Sequence, residues 1–425
     1  MELSRRRFLQ ASAMTAAAAG FTAACGSSGT TSAHGKDLTL WYWGGGLSDK
    51  VVADAKAQFA KDVTLTASSV GGDFKQKLVT TLAAGGTSVP DITGIKGEDM
   101  ASFLPSASKF LDLNELGFKD ISSQYLAWKT KRAQTTDGKQ IGFPIDIGPT
   151  AMYYRVDLLE KAGLPTDPDK LAAQIKTWDD FWAAGAQLHG ANPKSYPMRN
   201  LPELFSLVVD QGTKRFIDES NHFIGDQSHI RNAWNTAVKG FTAGLDGKVD
   251  DNSWNAAIST GTLGIELGAA WHALDIEQAA PDLKGQWRVA PMPGGPANDG
   301  GSYLALPKQC RNPEQAFKIV SWILNPENDA RGFTDAAIFP AAPAAYKLPA
   351  MTAGDPYFGG QKIIDVFGPA AEAMPISYEA PADAAVMAPY STELGNIEAS
   401  GKSPDAAWND AVSKAKQIAQ RQGVS

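Results

Sequence analysis

One stretch near the start of the chain constrains the fold more than any other. Residues 38–43 (LTLWYW) form a near-continuous apolar run that stops at three glycines. Such a run, of strand length, is typical of a parallel strand buried on both faces. A capped helix at 48–59, a strand at 63–69, an amphipathic helix at 74–84 and a strand at 90–93 are predicted to follow. This β-α-β-α-β order predicts an α/β body with a mostly parallel sheet.

Further along, helix starts are indicated at Thr177, Asn312 and Ser403, where a capping side chain precedes first-turn acids or a proline. Residues 214–225 (KRFIDESNHFIG) predict two short strands around a turn. Gly and Pro collect at 290–301 (APMPGGPANDGG), which predicts a crossing between two bodies. Because 425 residues exceed the size at which one core keeps growing, we expect two lobes.

The first 24 residues resemble an export signal. Residues 4–9 (SRRRFL) resemble the twin-arginine motif, an alanine-rich apolar stretch covers 11–21, and small residues precede Cys25. The apolar stretch is much shorter than the ~20 residues of a membrane span, so we expect removal rather than retention as an anchor. Cys25 is the expected lipidation site, although Thr22 stands where a lipoprotein signal usually has leucine. Residues 25–35 are then a flexible tether.

Charge and motif content exclude several functions. The chain has a formal net charge of −7 at pH 7, and an acidic surface repels phosphate backbones, so no nucleic-acid partner is expected. The two cysteines are Cys25 and Cys310, so lipidation of the first leaves no disulfide. The five histidines lack zinc-motif spacing and no Gly-x-Ser-x-Gly elbow occurs. We therefore expect no metal, no cofactor and no catalytic residue.

Carboxylates and aromatics leave two classes of carbohydrate-active protein open. Acidic pairs such as 98–99 and 250–251 would suit a glycoside hydrolase, which remains the alternative. The eleven tryptophans favour binding, because flat rings stack on the apolar faces of sugars while polar side chains reach the hydroxyls. Trp43 ends a strand beside Gly44–Gly46, where ligands of open α/β sheets bind. A ligand site and core packing are both open for Trp43, whereas Trp41 is predicted to pack in the core.

Six segments taken in order resemble the extracellular solute-binding proteins of carbohydrate ABC transporters, a maltose-binding-protein-like family. They are 38–43 before the glycines, 85–92 (GGTSVPDI), 142–159 (GFPIDIGPTAMYYRVDLL), 177–181, 264–271 (GIELGAAW) and 300–306. The resemblance implies an α/β, two-lobe periplasmic-binding-protein-like fold of type II, with a mostly parallel sheet in each lobe and a hinge between the lobes. It implies crossings at 142–154 and 292–302. Lobe 1 would comprise 36–147 plus 299–342, and lobe 2 would comprise 148–298 plus 343–425.

The resemblance also implies ligand-binding residues in loops at the ends of strands and helices. They are Trp43, Gly44, Gly45, Lys96, Glu98, Asp99, Asp146, Arg199, Asn200, Trp271, His272, Ser302, Tyr303 and Tyr378. Asp91 is expected to be structural, because it comes too early in its strand to reach the cleft. Ile95 stands where the maltose binder has a tryptophan, which argues against a maltodextrin ligand.

The implied function is capture without chemistry. A lipid-anchored monomer on the outer face of the cell membrane would enclose a sugar, of di- or oligosaccharide size, between its closing lobes. It would then deliver the sugar to the permease subunits of an ABC importer. A solute-binding protein for peptides or metals is a third class.

Overall fold

The alternating start of the chain folds as the sequence predicts. In the computed structural model, which describes residues 35–425, the strand before the glycines is followed by helix, strand, helix and strand. The predicted export signal (1–24), Cys25 and the tether up to residue 34 lie outside the described residues. The strands are β1 Asp37–Tyr42, β2 Thr64–Ser69, β3 Ile92–Lys96, β4 Phe143–Pro144, β5 Thr150–Arg155, β6 Ile265–Ala269, β7 Trp287–Pro291 and β8 Ser302–Ala305.

These strands form two sheets. The first sheet has the order β2-β1-β3-β8-β4, and all its strands run one way except β8, which pairs antiparallel with β3 and β4. The second sheet has the order β6-β5-β7, and both of its ladders are antiparallel. The predicted mostly parallel sheet is therefore confirmed for the first sheet and wrong for the second. The reason is that β5 leaves a crossing and β7 enters the other one, so these neighbours must run in opposite directions.

Helices cover much of the remaining chain between residues 35 and 425. They are α1 Asp49–Gln58, α2 Phe74–Ala84, α3 Gly97–Phe103, α4 Phe118–Ile121, α5 Ala127–Arg132, α6 Val156–Lys161, α7 Pro168–Gln174, α8 Trp178–Ala191, α9 Leu201–Asp210, α10 Ser228–Thr242, α11 Trp254–Thr260, α12 His272–Ala279, α13 Pro313–Ile323, α14 Pro326–Ala336, α15 Pro349–Thr352, α16 Ile364–Ala373, α17 Asp383–Ser400 and α18 Pro404–Arg421.

Local signals set most of these boundaries. Ser48 accepts a hydrogen bond from the Val51 N–H at the start of α1, and Thr177 forms a capping box with Asp180 at the start of α8. At α18 the predicted Ser403 makes no side-chain cap, and Pro404 alone marks the first turn. The two strands predicted within 214–225 shrink to one bridge between Ile217 and Phe223, since the turn leaves no length for a ladder.

Each sheet is covered on both faces by apolar side chains. On the first sheet, Leu38 and Leu40 join one buried cluster and Tyr303 joins another on the opposite face. In the second sheet, neighbours along β5 alternate in the same way: Tyr153 joins the first of these clusters, and Tyr154 joins a third. One apolar cluster therefore runs from the first sheet into the second.

Two residues at the first sheet, Asp91 and Trp41, were predicted to have structural rather than ligand-binding roles. Asp91 is buried and accepts hydrogen bonds from Thr39 and Arg311, and these donors hold the pKa of its carboxyl below the usual value although burial opposes them. Its structural role is confirmed. Trp41 packs against the apolar cluster only partly, and the Lys77 Nζ lies 5.1 Å from its ring centroid.

The chain passes from the first sheet to the second at 145–149 and returns at 292–301, in agreement with the two predicted crossings. The crossings are paired with each other: the Thr150 N–H donates to the Ala297 carbonyl at 3.1 Å, and the Asp299 N–H donates to the Gly148 carbonyl at 2.9 Å. A third segment runs beside them, because the Ile147 N–H donates to the Phe339 carbonyl. The lobe boundaries given above remain a prediction.

Candidate functional site

Trp43 follows β1 and lies over the end of the first sheet. Its indole occupies space left by two glycines, since a Cβ on Gly46 would lie 2.7 Å from Trp43 Cε2 and a Cβ on Gly94 would lie 2.6 Å from Trp43 Cζ3. Phe74 packs edge-on at 5.2 Å, and the Lys96 Nζ lies 5.7 Å from the ring centroid. The ring is half-buried, so it is held in place and still presents a surface to solvent.

The other predicted residues at this end of the sheet are polar or small. Gly44 and Gly45 are exposed and face open space. Glu98 is exposed in the first turn of α3, whereas Asp99 forms an ion pair of 2.7 Å with Lys75. The structure thus brings Trp43 and Lys96 together with the exposed backbone of Gly44 and Gly45. Asp99, in contrast, is engaged in its ion pair with Lys75.

Trp271 follows β6 at the end of the second sheet. Its Cη2 atom lies against both crossings: a Cβ on Gly148 would be 2.7 Å away and a Cβ on Gly300 would be 3.0 Å away. The indole is half-buried. Trp271 is therefore in contact with both chain segments that join the sheets.

A cavity of about 540 Å³ lies beside His272, the residue that follows Trp271. Two predicted residues, Arg199 and His272, line it together with Asp251, Trp254, Asn255, Asp275, Gln278 and Ala279. Arg199 forms an ion pair with Asp251, so its charge is partly neutralised at the wall. The lining is mainly hydrogen-bonding groups with one indole, which suits a ligand that carries hydroxyls and an apolar face.

Buried charge lies beneath and beside this cavity. His272 Nδ1 lies 3.1 Å from Glu266 Oε1. Burial opposes the imidazolium, but Glu266, Asp299 and Asp275 outweigh it, so the pKa of His272 lies above its usual value. Burial raises the pKa of Asp299 to about 6, against the attraction of His272, and the distant Glu98 carboxylate adds to the rise.

Asp146, in the first crossing, neighbours a buried lysine that the sequence did not single out. Lys129 of α5 is 1% exposed, and its Nζ lies 3.8 Å from the centroid of the Tyr303 ring. Burial lowers the pKa of Lys129 to about 7, although the Asp146 carboxylate opposes the shift. Asp146 Oδ1 is buried without a hydrogen-bond partner among residues 35–425. Asp146 and Lys129 thus influence each other's pKa without forming a direct ion pair.

Three predicted residues have structural roles instead. Tyr303 is 1% exposed and its hydroxyl donates to the Lys129 carbonyl, so in this structure its side chain packs within the sheet, and a ligand contact stays a prediction. Asn200 caps α9 by accepting from the Glu203 N–H, and its amide also donates to the Val249 carbonyl. Both ends of its side chain are therefore engaged. Ser302 is buried beside Asp146 in β8.

Tyr378 is 42% exposed on the loop between α16 and α17, next to the exposed Ile376. Burial of part of the side chain raises the pKa of Tyr378 above its usual value, and the carboxylates of Asp383, Glu219 and Asp218 add to the rise. None of these groups lines the cavity, so the structure does not bring Tyr378 to the cavity.

The same loop nevertheless joins the two sheets. Arg132, at the end of α5, donates to Ser377 Oγ at 3.2 Å and lies 3.7 Å from Glu379 Oε2. Because α5 packs on the first sheet and the loop leads into α17 of the other body, this contact spans them. No pattern in the sequence indicates this contact.

Within residues 35–425 no group of three or more His, Cys, Asp or Glu side chains is arranged to hold a metal ion. Over the same residues, no helix combines the length and the apolar character that crossing a membrane requires.

The chain matches a family of known proteins over most of its length. Residues 50–358 match the model of the bacterial extracellular solute-binding proteins. The lactose-binding protein of Rhizobium radiobacter is 25% identical over 359 residues, which cover 79% of this chain and 82% of the relative.

Solved structures agree in fold. A crystal structure of an extracellular solute-binding protein of family 1 superimposes with a TM-score of 0.83 and 27% identity, covering 90% of this chain and 99% of the other. The galacto-N-biose-/lacto-N-biose I-binding protein from Bifidobacterium longum, in complex with lacto-N-biose, gives a TM-score of 0.76 at 21% identity, over 92% and 99% of the two chains. The chain therefore belongs to the bacterial extracellular solute-binding proteins and has their two-lobe, type II periplasmic-binding-protein fold.

Proposed function

We propose that this chain captures a sugar of di- or oligosaccharide size between its lobes and delivers it to the permease of an ABC importer. The observation that carries the proposal is the arrangement after β6, where the half-buried Trp271 contacts both crossings and the next residue, His272, lines a cavity of hydrogen-bonding groups. A ring there stacks on a sugar face while Arg199, Asn255 and Gln278 reach its hydroxyls.

Relatives support a carbohydrate ligand. The lactose binder and the lacto-N-biose complex are named for disaccharides, and both are similar to this chain over most of its length. Closure follows from the same arrangement, because a ligand that touches both lobes favours the closed form by its differential affinity. Trp43 and Lys96 would approach it from the first sheet and the cavity residues from the second.

The family acts outside the cytoplasm, and we propose that this chain is held there as a monomer by lipid on Cys25 after twin-arginine export. The motif at 4–9 and the small residues before Cys25 support this. Cys25→Ala should release the protein from the membrane fraction into the medium, whereas Cys310→Ala should leave it attached. Retention of Cys25→Ala on the membrane would contradict lipid anchoring.

A thermal-shift screen against mono-, di- and oligosaccharides tests the proposed ligand class. A ligand at 100 times its Kd adds about 2.7 kcal/mol to the unfolding free energy by mass action, which is a shift of several degrees. Stabilisation by peptides and by no sugar would overturn the proposal.

We further propose that the chain is not an enzyme. The cavity carboxylates Asp251 and Asp275 are exposed, and Asp251 is paired with Arg199, which leaves it unsuited to act as an enclosed acid or nucleophile. Incubation with the stabilising sugar should give no product; any cleavage would restore the glycoside hydrolase alternative.

A further inference from the structure

A single carboxylate interrupts the buried strand β6. Glu266 is 1% exposed within the sequence IELGA, where its neighbours in the strand are apolar or glycine. An ionised carboxylate is retained at such a depth only when charged or hydrogen-bonding partners compensate for the lost water. The partners of Glu266 therefore indicate why it is there.

Both partners of Glu266 belong to the cavity lining. Its Oε1 atom accepts a hydrogen bond from Trp254 Nε1 at 3.1 Å and lies 3.1 Å from His272 Nδ1, at an angle that falls short of a straight hydrogen bond. The Oε2 atom has no hydrogen-bond partner among residues 35–425. One buried oxygen thus links the two rings, Trp254 and His272, that line the cavity beside each other.

The strand makes room for the histidine ring. Gly268 lies two residues after Glu266 and hence on the same face of β6. A Cβ on Gly268 would lie 2.2 Å from His272 Nδ1 and 2.4 Å from its Cε1. Only glycine allows the ring to lie back over the strand and bring Nδ1 to the glutamate. Tyr153 supports the ring from β5, at a centroid distance of 6.4 Å.

This geometry fixes the direction of the ring. Nδ1 is buried on the side of Glu266, whereas the ring as a whole lines the cavity. Because the two nitrogens lie on opposite sides of an imidazole, Nε2 is the one that remains for a ligand.

The charged groups that face the ring come from three elements. Glu266 lies in β6, Asp275 lies in α12 with His272 itself, and Asp299 lies in the second crossing. Across the cavity stands the ion pair of Arg199 and Asp251. Acids outnumber bases around the imidazole, so the surroundings favour its protonated form.

We propose that Glu266 is a positioning residue that keeps His272 protonated, with Nε2–H directed into the cavity as a donor to a ligand oxygen. The inference rests on the proposed function only for the identity of that ligand. The raised pKa of His272 has the direction that this geometry requires. Sugar binding should then weaken as the pH rises through the titration of His272.

The first experiment needs no ligand. NMR of the imidazole signals of the mature protein, with His272 assigned by its loss in His272→Gln, gives the titration midpoint directly. We expect a wild-type midpoint above the ordinary ~6.5 and a fall of about one pH unit or more in Glu266→Gln. That variant keeps an amide oxygen for Trp254 and removes only the charge.

Glu393→Gln is the matched control, because Glu393 is also buried and pairs with Lys402 and Lys414 far along the chain. It should lower stability and leave the His272 midpoint unchanged. A wild-type midpoint below 6.5 for His272 would overturn the proposal, whether or not Glu266→Gln folds. So would an unchanged midpoint in Glu266→Gln.

The second experiment uses the sugar found in the thermal-shift screen, with its Kd measured by calorimetry from pH 5 to 9. Wild-type affinity should fall several-fold across the His272 midpoint, Glu266→Gln should show the fall at lower pH, and His272→Gln should show none. A flat wild-type profile would contradict donation by His272. Failure of every sugar to bind would contradict the proposed function instead, and the NMR midpoints would still decide the role of Glu266.

Discussion

The two sheets end in the same way in sequence but not in structure. Each has a tryptophan at a strand end with glycines packed around it, Trp43 for the first sheet and Trp271 for the second. The glycines beside Trp43, Gly46 and Gly94, belong to its own sheet and its own turn. Those beside Trp271, Gly148 and Gly300, belong to the two crossings.

This difference determines whether the position of each indole depends on the angle between the lobes. Trp43 contacts only its own lobe, so the exposed side of its ring stays in the same place whether or not the other lobe moves. Trp271 is fixed against the segments that must deform if the lobes move, so its position and the lobe angle are coupled. We therefore expect changes around Trp271 to have larger effects than equivalent changes around Trp43.

Gly148→Ala should have the largest effect. Its Cβ would lie 1.7 Å from the Asp299 carbonyl oxygen, so the paired crossings must separate, at a cost of about 3 kcal/mol in unfolding free energy. Denaturant unfolding measures this. Gly190→Ala is the control, because nothing lies within 4 Å of its Cβ position in the exposed face of α8, and it should be neutral or stabilising. Equal stabilities would show that the crossings yield easily.

Trp271→Ala should come next, with a loss of about 30-fold or more in sugar affinity, as for a central aromatic contact. Calorimetry gives the affinity and circular dichroism confirms folding. Trp322→Ala is matched in size but packs against Phe59 on the first-sheet side, away from the cavity. It should cost stability and leave affinity unchanged; the reverse pattern would place the ligand elsewhere.

Trp43→Ala should weaken affinity by about tenfold, the value of one stacking surface without coupling to the crossings. Gly94→Ala tests the same stacking surface without removing the indole. Its Cβ would lie 2.6 Å from the Trp43 ring and would displace the ring. Both variants should lose affinity to a similar degree in the same titration. If Trp43→Ala costs more than Trp271→Ala, the ranking of the two indoles is wrong.

Arg132→Ala should have the smallest effect. Its contacts with Ser377 and Glu379 span the two bodies but are ionic and partly exposed, which limits them to about 1 kcal/mol. A roughly threefold rise in Kd is expected if they favour closure. Arg231→Ala, which removes an exposed pair with Asp405 within one body, should not change Kd. Equal effects of both variants would remove the bridging role.

Local signals explain how much of the fold could be predicted. The elements from β1 to β3 follow from apolar periodicity and caps such as Ser48, all within a few residues of each other. The antiparallel pairing of the second sheet could not be found in that way, because Met152 pairs with Leu267, more than a hundred residues away. No sequence pattern near either residue indicates this strand pairing.

For the candidate site, the sequence indicated which segments lie near the cavity but not which of their side chains are buried. Arg199 and His272 line one cavity and Trp271 directly precedes His272, whereas Tyr303 is buried. Glu266 was missed, although an acid inside the apolar run GIELGAAW is a visible signal that a buried partner must exist. Lys129 carried no such signal, because lysine in a short helix is nearly always solvated.

The pairing of the two crossings restricts how the lobes can move. Hydrogen bonds between Thr150 and Ala297 and between Gly148 and Asp299 pair the crossings, and the bond from Ile147 to Phe339 attaches a third segment to them. A connection that is hydrogen-bonded in this way resists shear between its segments, so we expect the lobes to rotate about it rather than slide past each other.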